Sequence, residues 1–129
     1  MTPTATIPTT ITTVETFFAA WNTGDLDTLE TVADASIIVS DITGLLYTRA
    51  VYCGHAGLTE AVRELESRWH RFDMHLADAQ PSDDGNVRAL LHATFEKHGM
   101  SFDAEIPVVC ELHDGLVVAI SDDDAAYAA

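Results

Sequence analysis

The sequence predicts an α+β domain in which helices and a curved antiparallel sheet pack on one another. Three observations carry that expectation. Apolar residues recur at helical spacing through Val14, Phe17, Phe18 and Trp21, and again through Leu58, Ala61, Val62, Leu65 and Trp69. From Arg71 onward the period falls to two, first with Phe72, Met74 and Leu76 against Asp73 and His75, then with Val87, Ala89, Leu91, Ala93 and Phe95 against Arg88, His92, Thr94 and Glu96. Turn-forming dipeptides, His98-Gly99 and Asp114-Gly115, punctuate the alternating runs. A chain of 129 residues holds one such domain and buries roughly two-thirds of its unfolded surface.

Each element has its own signal. Residues 1–11 are rich in Thr and Pro and read as a flexible N-terminal arm, leaving 12–129 for the domain. Thr12-Thr13-Val14-Glu15 offers the Thr-x-x-Glu pattern in which side chains satisfy the first N–H groups of a helix. That helix closes at residues 22–24, and Asp25 is placed to cap a second one with an apolar stripe of Leu26, Leu29 and Val32 or Ala33, ending near Asp34. Residues 36–40 are β-branched enough for a strand, Asp41-Ile42-Thr43-Gly44 fits a turn, and residues 47–52 fit a further turn or short strand. Residues 57–70 form the longest expected helix, with Glu and Arg opposite its apolar face. After the first two alternating runs, Phe102, Ala104, Ile106, Val108, Cys110 and Leu112 mark a long strand and residues 116–120 the last one. No internal repeat is present.

Composition excludes several classes of function. The formal net charge is −15, from 21 acids against 6 bases, with Lys97 the only lysine. Such a surface repels phosphate backbones and anionic headgroups, so neither nucleic acid nor membrane is an expected partner. Residues 1–10 carry no basic residue and no apolar run of signal length, and no later run is long enough to cross a bilayer, which makes a cytoplasmic location the expectation. In that setting Cys53 and Cys110 read as reduced, partly buried small hydrophobes rather than as a disulfide. No phosphate loop, zinc spacing, nucleophile elbow or nucleotide fingerprint occurs, and no cofactor is expected.

Taken in order, Trp21 to Asp27, Ala33-Asp34, Tyr52-x-Gly54-His55-x-Gly57-Leu58, the Asp-Gly at 114 and 115, and the Ala-rich tail after Asp124 resemble the nuclear transport factor 2-like superfamily, in particular its SnoaL-like and ketosteroid isomerase-like branches. The resemblance implies a cystatin-like fold, a curved sheet wrapped around three N-terminal helices with a cone-shaped pocket between them. It also implies a homodimer through the outer sheet face. Allowing one extra residue within 37–40, Asp41 falls where ketosteroid isomerases keep a general base. A carboxylate at the rim of an apolar pocket is partly desolvated, which raises its pKa toward the range useful for proton transfer. Phe17 and approximately Val108 stand where those isomerases keep the tyrosine and protonated aspartic acid that stabilise an oxyanion, so a steroid-type isomerase is not implied. Limonene epoxide hydrolase-like members use Asp-Arg-Asp, residue types present at Asp73, Arg88 and Asp103 without that pattern, and SnoaL-like cyclases use an acid with histidine help, for which His92 and Asp103 are loose counterparts.

Structural explanations compete with each candidate. Asp41 fits its own turn, where the side chain bonds local backbone. His55, just before a helix, reaches toward a pocket mouth or sits in a loop. His75 and His92, with Asp73, Glu96, Asp103 and Glu105, have metal-binding chemistry but no metal spacing, and strand parity places them on the outer face, unless a bulge swaps the faces. The expected pocket lining is Phe17, Trp21, Tyr52, Trp69, Met74, Leu91, Val108 and Cys110, suited to a small, apolar, neutral molecule. Two functions fit: a cofactor-free isomerase, cyclase, hydratase or hydrolase using Asp41 with His55 or a tyrosine, or a non-catalytic dimeric module that binds a ligand or a protein.

Overall fold

A computed structural model describes residues 9–40, 51–69, 71–82 and 84–123. The expected turn at Asp41 to Gly44 lies outside the described residues, as does Tyr47. The elements in order are α1 (Thr9–Thr23), α2 (Leu26–Val32), β1 (Ala33–Ser40), β2 (Val51–Cys53), α3 (Gly54–Arg68), β3 (Arg71–Pro81), β4 (Val87–Lys97), β5 (Met100–His113) and β6 (Leu116–Asp122).

The first helix begins at Thr9 rather than at the Thr12 pattern. Ile11 explains the extra turn: it is buried and carries the stripe of Val14, Phe18 and Trp21 one turn back. At the other end Gly24 takes φ +72°. That left-handed residue lets the Asp25 N–H reach the Ala20 carbonyl at 2.9 Å and the Gly24 N–H reach that of Trp21 at 3.1 Å, closing the helix. Asp25 then caps α2, accepting from the Thr28 N–H at 3.2 Å and the Thr28 hydroxyl at 2.7 Å. The second helix stops at Val32, short of Asp34, because Ala33 already pairs with Val117 of β6.

The six strands form one sheet in the order β2-β1-β6-β5-β4-β3. The pairings β3 to β4, β4 to β5, β5 to β6 and β1 to β2 are antiparallel, as the alternating runs and tight turns predict. The junction of β1 with β6 is parallel, so the sheet is mixed. The cause is α3, which carries the chain from one sheet edge to the other, after which three hairpins return β6 beside β1 in the same direction. His98 and Gly99 (φ 54° and 76°) and Asp114 and Gly115 (φ 52° and 79°) make the hairpin turns in the left-handed region that such two-residue loops require. The helix α3 starts at Gly54, earlier than Gly57, since the left-handed Gly54 turns the chain directly out of β2. Gly57 is needed for contact: a Cβ there would lie 3.0 Å from the Tyr52 carbonyl carbon and 3.3 Å from its Cβ.

The helices cover one face of the sheet, called inner here. Val14, Phe17, Phe18 and Trp21 of α1, Leu58, Ala61 and Val62 of α3, and Met74, Leu91, Ala93, Phe95, Ile106, Val108, Cys110 and Ile120 of the sheet form a single buried cluster. Asn22 fastens α1 to the edge strand β3: its Oδ1 accepts from the Met74 N–H at 2.7 Å, and its Nδ2 donates to Asp73 Oδ1 at 2.9 Å. An outward-facing N–H on an edge strand is thereby capped from within the chain.

Candidate functional site

Of the residues expected to line the pocket, Phe17, Trp21, Tyr52, Met74, Leu91, Val108 and Cys110 are all buried in that one cluster, and Trp69 packs against it from the end of α3. Phe17 and Trp21 lie one helical turn apart with ring centroids at 5.8 Å, and Phe18 stacks on Trp21 at 6.5 Å. The Trp69 ring rests on Phe95 at 4.8 Å, and Phe95 is the cross-strand partner of Phe72. Lys97 Nζ stands 6.0 Å from the Trp69 ring, within cation–π range. Burial pushes the Cys110 thiol up to about 12, because a thiolate in this apolar setting loses its hydration. Cys110 thus behaves as the small hydrophobe expected, whereas Cys53 is exposed; both are free thiols.

Of the two catalytic candidates only His55 is among the described residues. Asp41 lies outside the described residues. His55 is partly buried in the first turn of α3, with Nε2 2.9 Å from the Ala33 carbonyl, a contact in which Nε2–H donates. That places its ring at the start of β1.

Tyr52 has a partner that sequence reasoning missed. Its side chain is buried on β2, opposite Val39 of β1, and its hydroxyl donates to Glu64 Oε2 of α3. A phenol bonded to a carboxylate is a charge-assisted pair, here with a buried phenol and a half-buried carboxylate. The signal available in sequence was weak: Tyr52 and Glu64 stand 12 positions apart and on different elements.

The polar residues of β3, β4 and β5 face outward. His75 and His92 are cross-strand partners with ring centroids 5.2 Å apart, and Thr94 donates to Asp103 at 2.8 Å. His92 Nε2 stands 3.7 Å from the same Asp103 oxygen. Among the described residues no group of three or more His, Cys, Asp and Glu side chains is arranged to hold a metal ion. Arg88 and Asp123 form a second pair that sequence reasoning missed: Nε donates at 2.8 Å and Nη2 at 3.1 Å to a carboxylate that is buried, while the Asp123 N–H donates to the Pro107 carbonyl. The carboxylate holds the guanidinium pKa above its ordinary value. This clamp spans β4, β5 and the end of β6, and its role is to fix the chain after the last strand. Surface depressions occur along α3, lined by Thr59, Glu60, Arg63, Glu64 and Ser67 with a volume of 380 Å³, and beside β3, lined by Arg71, Asp73, Thr94 and Ser101 with a volume of 590 Å³. Both are open and polar-rimmed.

No protein-family model and no curated protein matches this chain. Solved structures do. The chain is similar to Bal32a from a soil-derived mobile gene cassette, with a TM-score of 0.77 at 24% identity over 87% of this chain and 86% of that one. It is similar to TerC co-crystallized with polyporic acid, with a TM-score of 0.77 at 13% identity over 94% and 96%. It is similar as well to an NTF2-like protein of unknown function from Burkholderia pseudomallei, with a TM-score of 0.75 at 15% identity over 94% and 95%. The chain has the nuclear transport factor 2-like, cystatin-like fold that the sequence resemblance implied. No helix among the described residues is long and apolar enough to cross a membrane.

Proposed function

We propose that this protein binds a small, apolar, neutral molecule between α1, α3 and the inner face of the sheet, and acts on it without a cofactor by acid–base chemistry as an isomerase, cyclase, hydratase or hydrolase. The observation that carries the reading is the inner cluster itself: aromatic side chains of α1 and apolar ones of α3 meet a sheet face of Met74, Leu91, Val108 and Cys110, with one part-buried phenol–carboxylate pair at its border. TerC, whose structure is similar, was co-crystallized with polyporic acid, which supports a small-molecule role. Asp41 is the proposed general base, by resemblance. Tyr52, with its proton held by Glu64, is the better-supported second group, since His55 is tethered to Ala33 at Nε2.

A second reading is favoured by the outer face. Ile38 and Val51 are exposed on β1 and β2, and Leu90, Pro107 and Val109 are half-buried. That apolar content suits a homodimer through the outer sheet face, and a non-catalytic dimeric module would need nothing more. The carboxyl-carbon NMR shift of Asp41, followed across pH in the wild type and in Asp41→Asn, separates the two. A pKa well above the reference of about 3.9 supports the enzyme; an ordinary or lowered value removes Asp41 as the base and leaves the binding module.

A further inference from the structure

His75 and His92 stand directly opposite each other on β3 and β4, with ring centroids 5.2 Å apart and ring planes at 36°. Both belong to the outer face. In the same row Glu105 of β5 is the partner of His92, and the next outward row along the sheet is Asp73, Thr94 and Asp103. His75 is exposed and the His92 side chain is 36% exposed, so solutes reach both rings. Among the described residues neither imidazole is committed to a hydrogen bond. His92 Nε2 stands 3.7 Å from Asp103 Oδ1, beyond bonding range, and that oxygen already accepts from the Thr94 hydroxyl at 2.8 Å.

Sheet stability does not account for the pair, because two imidazoles placed directly opposite repel each other whenever both are protonated. Metal coordination does. An ion bonded to one nitrogen of each ring at about 2.1 Å lies roughly 3.2 Å from each ring centre, so two imidazoles in neighbouring positions of a tetrahedral or square-planar ion have centres roughly 4.5–5.5 Å apart. The observed 5.2 Å falls inside that interval.

We propose that His75 and His92 form a two-histidine site for a late first-row divalent ion, zinc or its neighbours nickel and copper, with water in the remaining positions. Imidazole nitrogen selects these ions over magnesium and calcium, which take oxygen ligands. Asp73, Asp103 and Glu105 serve as charge beside the rings, and the net charge of −15 concentrates cations at the surface. Among the described residues no third His, Cys, Asp or Glu side chain is arranged to complete a set of three, so the site is open and exchangeable, unlike a closed structural zinc. An ion held there ties the edge strand β3 to β4. The site lies on the opposite sheet face from the inner cluster and stands independently of any ligand or reaction there.

The test is a calorimetric titration of the full-length chain, free of any affinity tag, with zinc chloride, alongside the imidazole ¹⁵N signals. One ion per chain is expected, with the His75 and His92 signals moving together while those of His55, His98 and His113 stay fixed. His75→Ala and His92→Ala should each weaken binding about tenfold or more. Asp103→Asn should weaken it only about two- to threefold, because an exposed carboxylate acts through screened charge. Cys53→Ser and His98→Ala should leave it unchanged, and magnesium at the same concentration should displace nothing. Absence of zinc binding, binding that survives the loss of either histidine, or displacement by magnesium overturns the inference. If a variant does not fold, the wild-type imidazole signals decide alone.

Discussion

Leu90 and Leu91 are chain neighbours on β4, as Val108 and Val109 are on β5, yet one member of each pair is fully buried and the other only half-buried. Strand geometry sends successive side chains to opposite faces, so a single run of sequence builds two unlike surfaces. The inner surface is continuous and apolar among the described residues, and burial keeps the Cys110 thiol within it neutral. The outer one carries Asp73, His75, His92, Asp103 and Glu105 between half-buried Leu90, Pro107 and Val109. What the difference teaches is that one run of sequence keeps its charged and titratable side chains on one face and its apolar ones on the other, and it is on this division that the proposed ligand and dimer faces rest.

The sharpest contrast is between the two thiols. Iodoacetamide at neutral pH should modify Cys53 and leave Cys110 untouched until the protein unfolds, so mass spectrometry of the native protein should show one adduct. Two adducts under native conditions would mean that the inner face opens readily. Next in size, Leu91→Ala should cost about 2–5 kcal/mol by the removal of a fully buried side chain, and Leu90→Ala about 1 kcal/mol or less. Equal losses in urea unfolding would contradict the assignment of faces. Asn22→Ala leaves the Met74 N–H without its acceptor and should cost about 1–2 kcal/mol, with faster amide exchange at Met74 as its local signature.

The smallest effect concerns acid. The Thr28 hydroxyl and N–H bonds hold the Asp25 carboxyl below its ordinary pKa of 3.8. A group whose pKa is lowered on folding contributes its stabilisation above the unfolded value and loses it as pH falls through the folded one. The melting temperature should therefore fall more steeply below about pH 4 in the wild type than in Asp25→Asn, which keeps a capping side chain without the titration.

Much of the fold was legible because its signals are local. The stripe of Val14, Phe17, Phe18 and Trp21, the Asp25 cap and the two Gly-containing hairpin turns each sit within a few residues, and all appear as read. The parallel junction of β1 with β6 was not legible, since it depends on a crossover of the whole chain through α3. The same distinction governs the site. Apolar lining residues announce themselves through periodicity, whereas Tyr52 with Glu64 and Arg88 with Asp123 meet across elements and leave no pattern. His55 reads in sequence as a candidate at a pocket mouth, and only the tertiary contact with Ala33 shows what its ring is bonded to.

The central claim is that the inner face holds the ligand, and methyl-shift mapping during a tetralin titration tests it most directly. The account predicts that signals of Met74, Leu91 and Val108 move while those of Leu90, Val109 and Ile38 stay fixed. Movement confined to the outer set, or none at all, would contradict it.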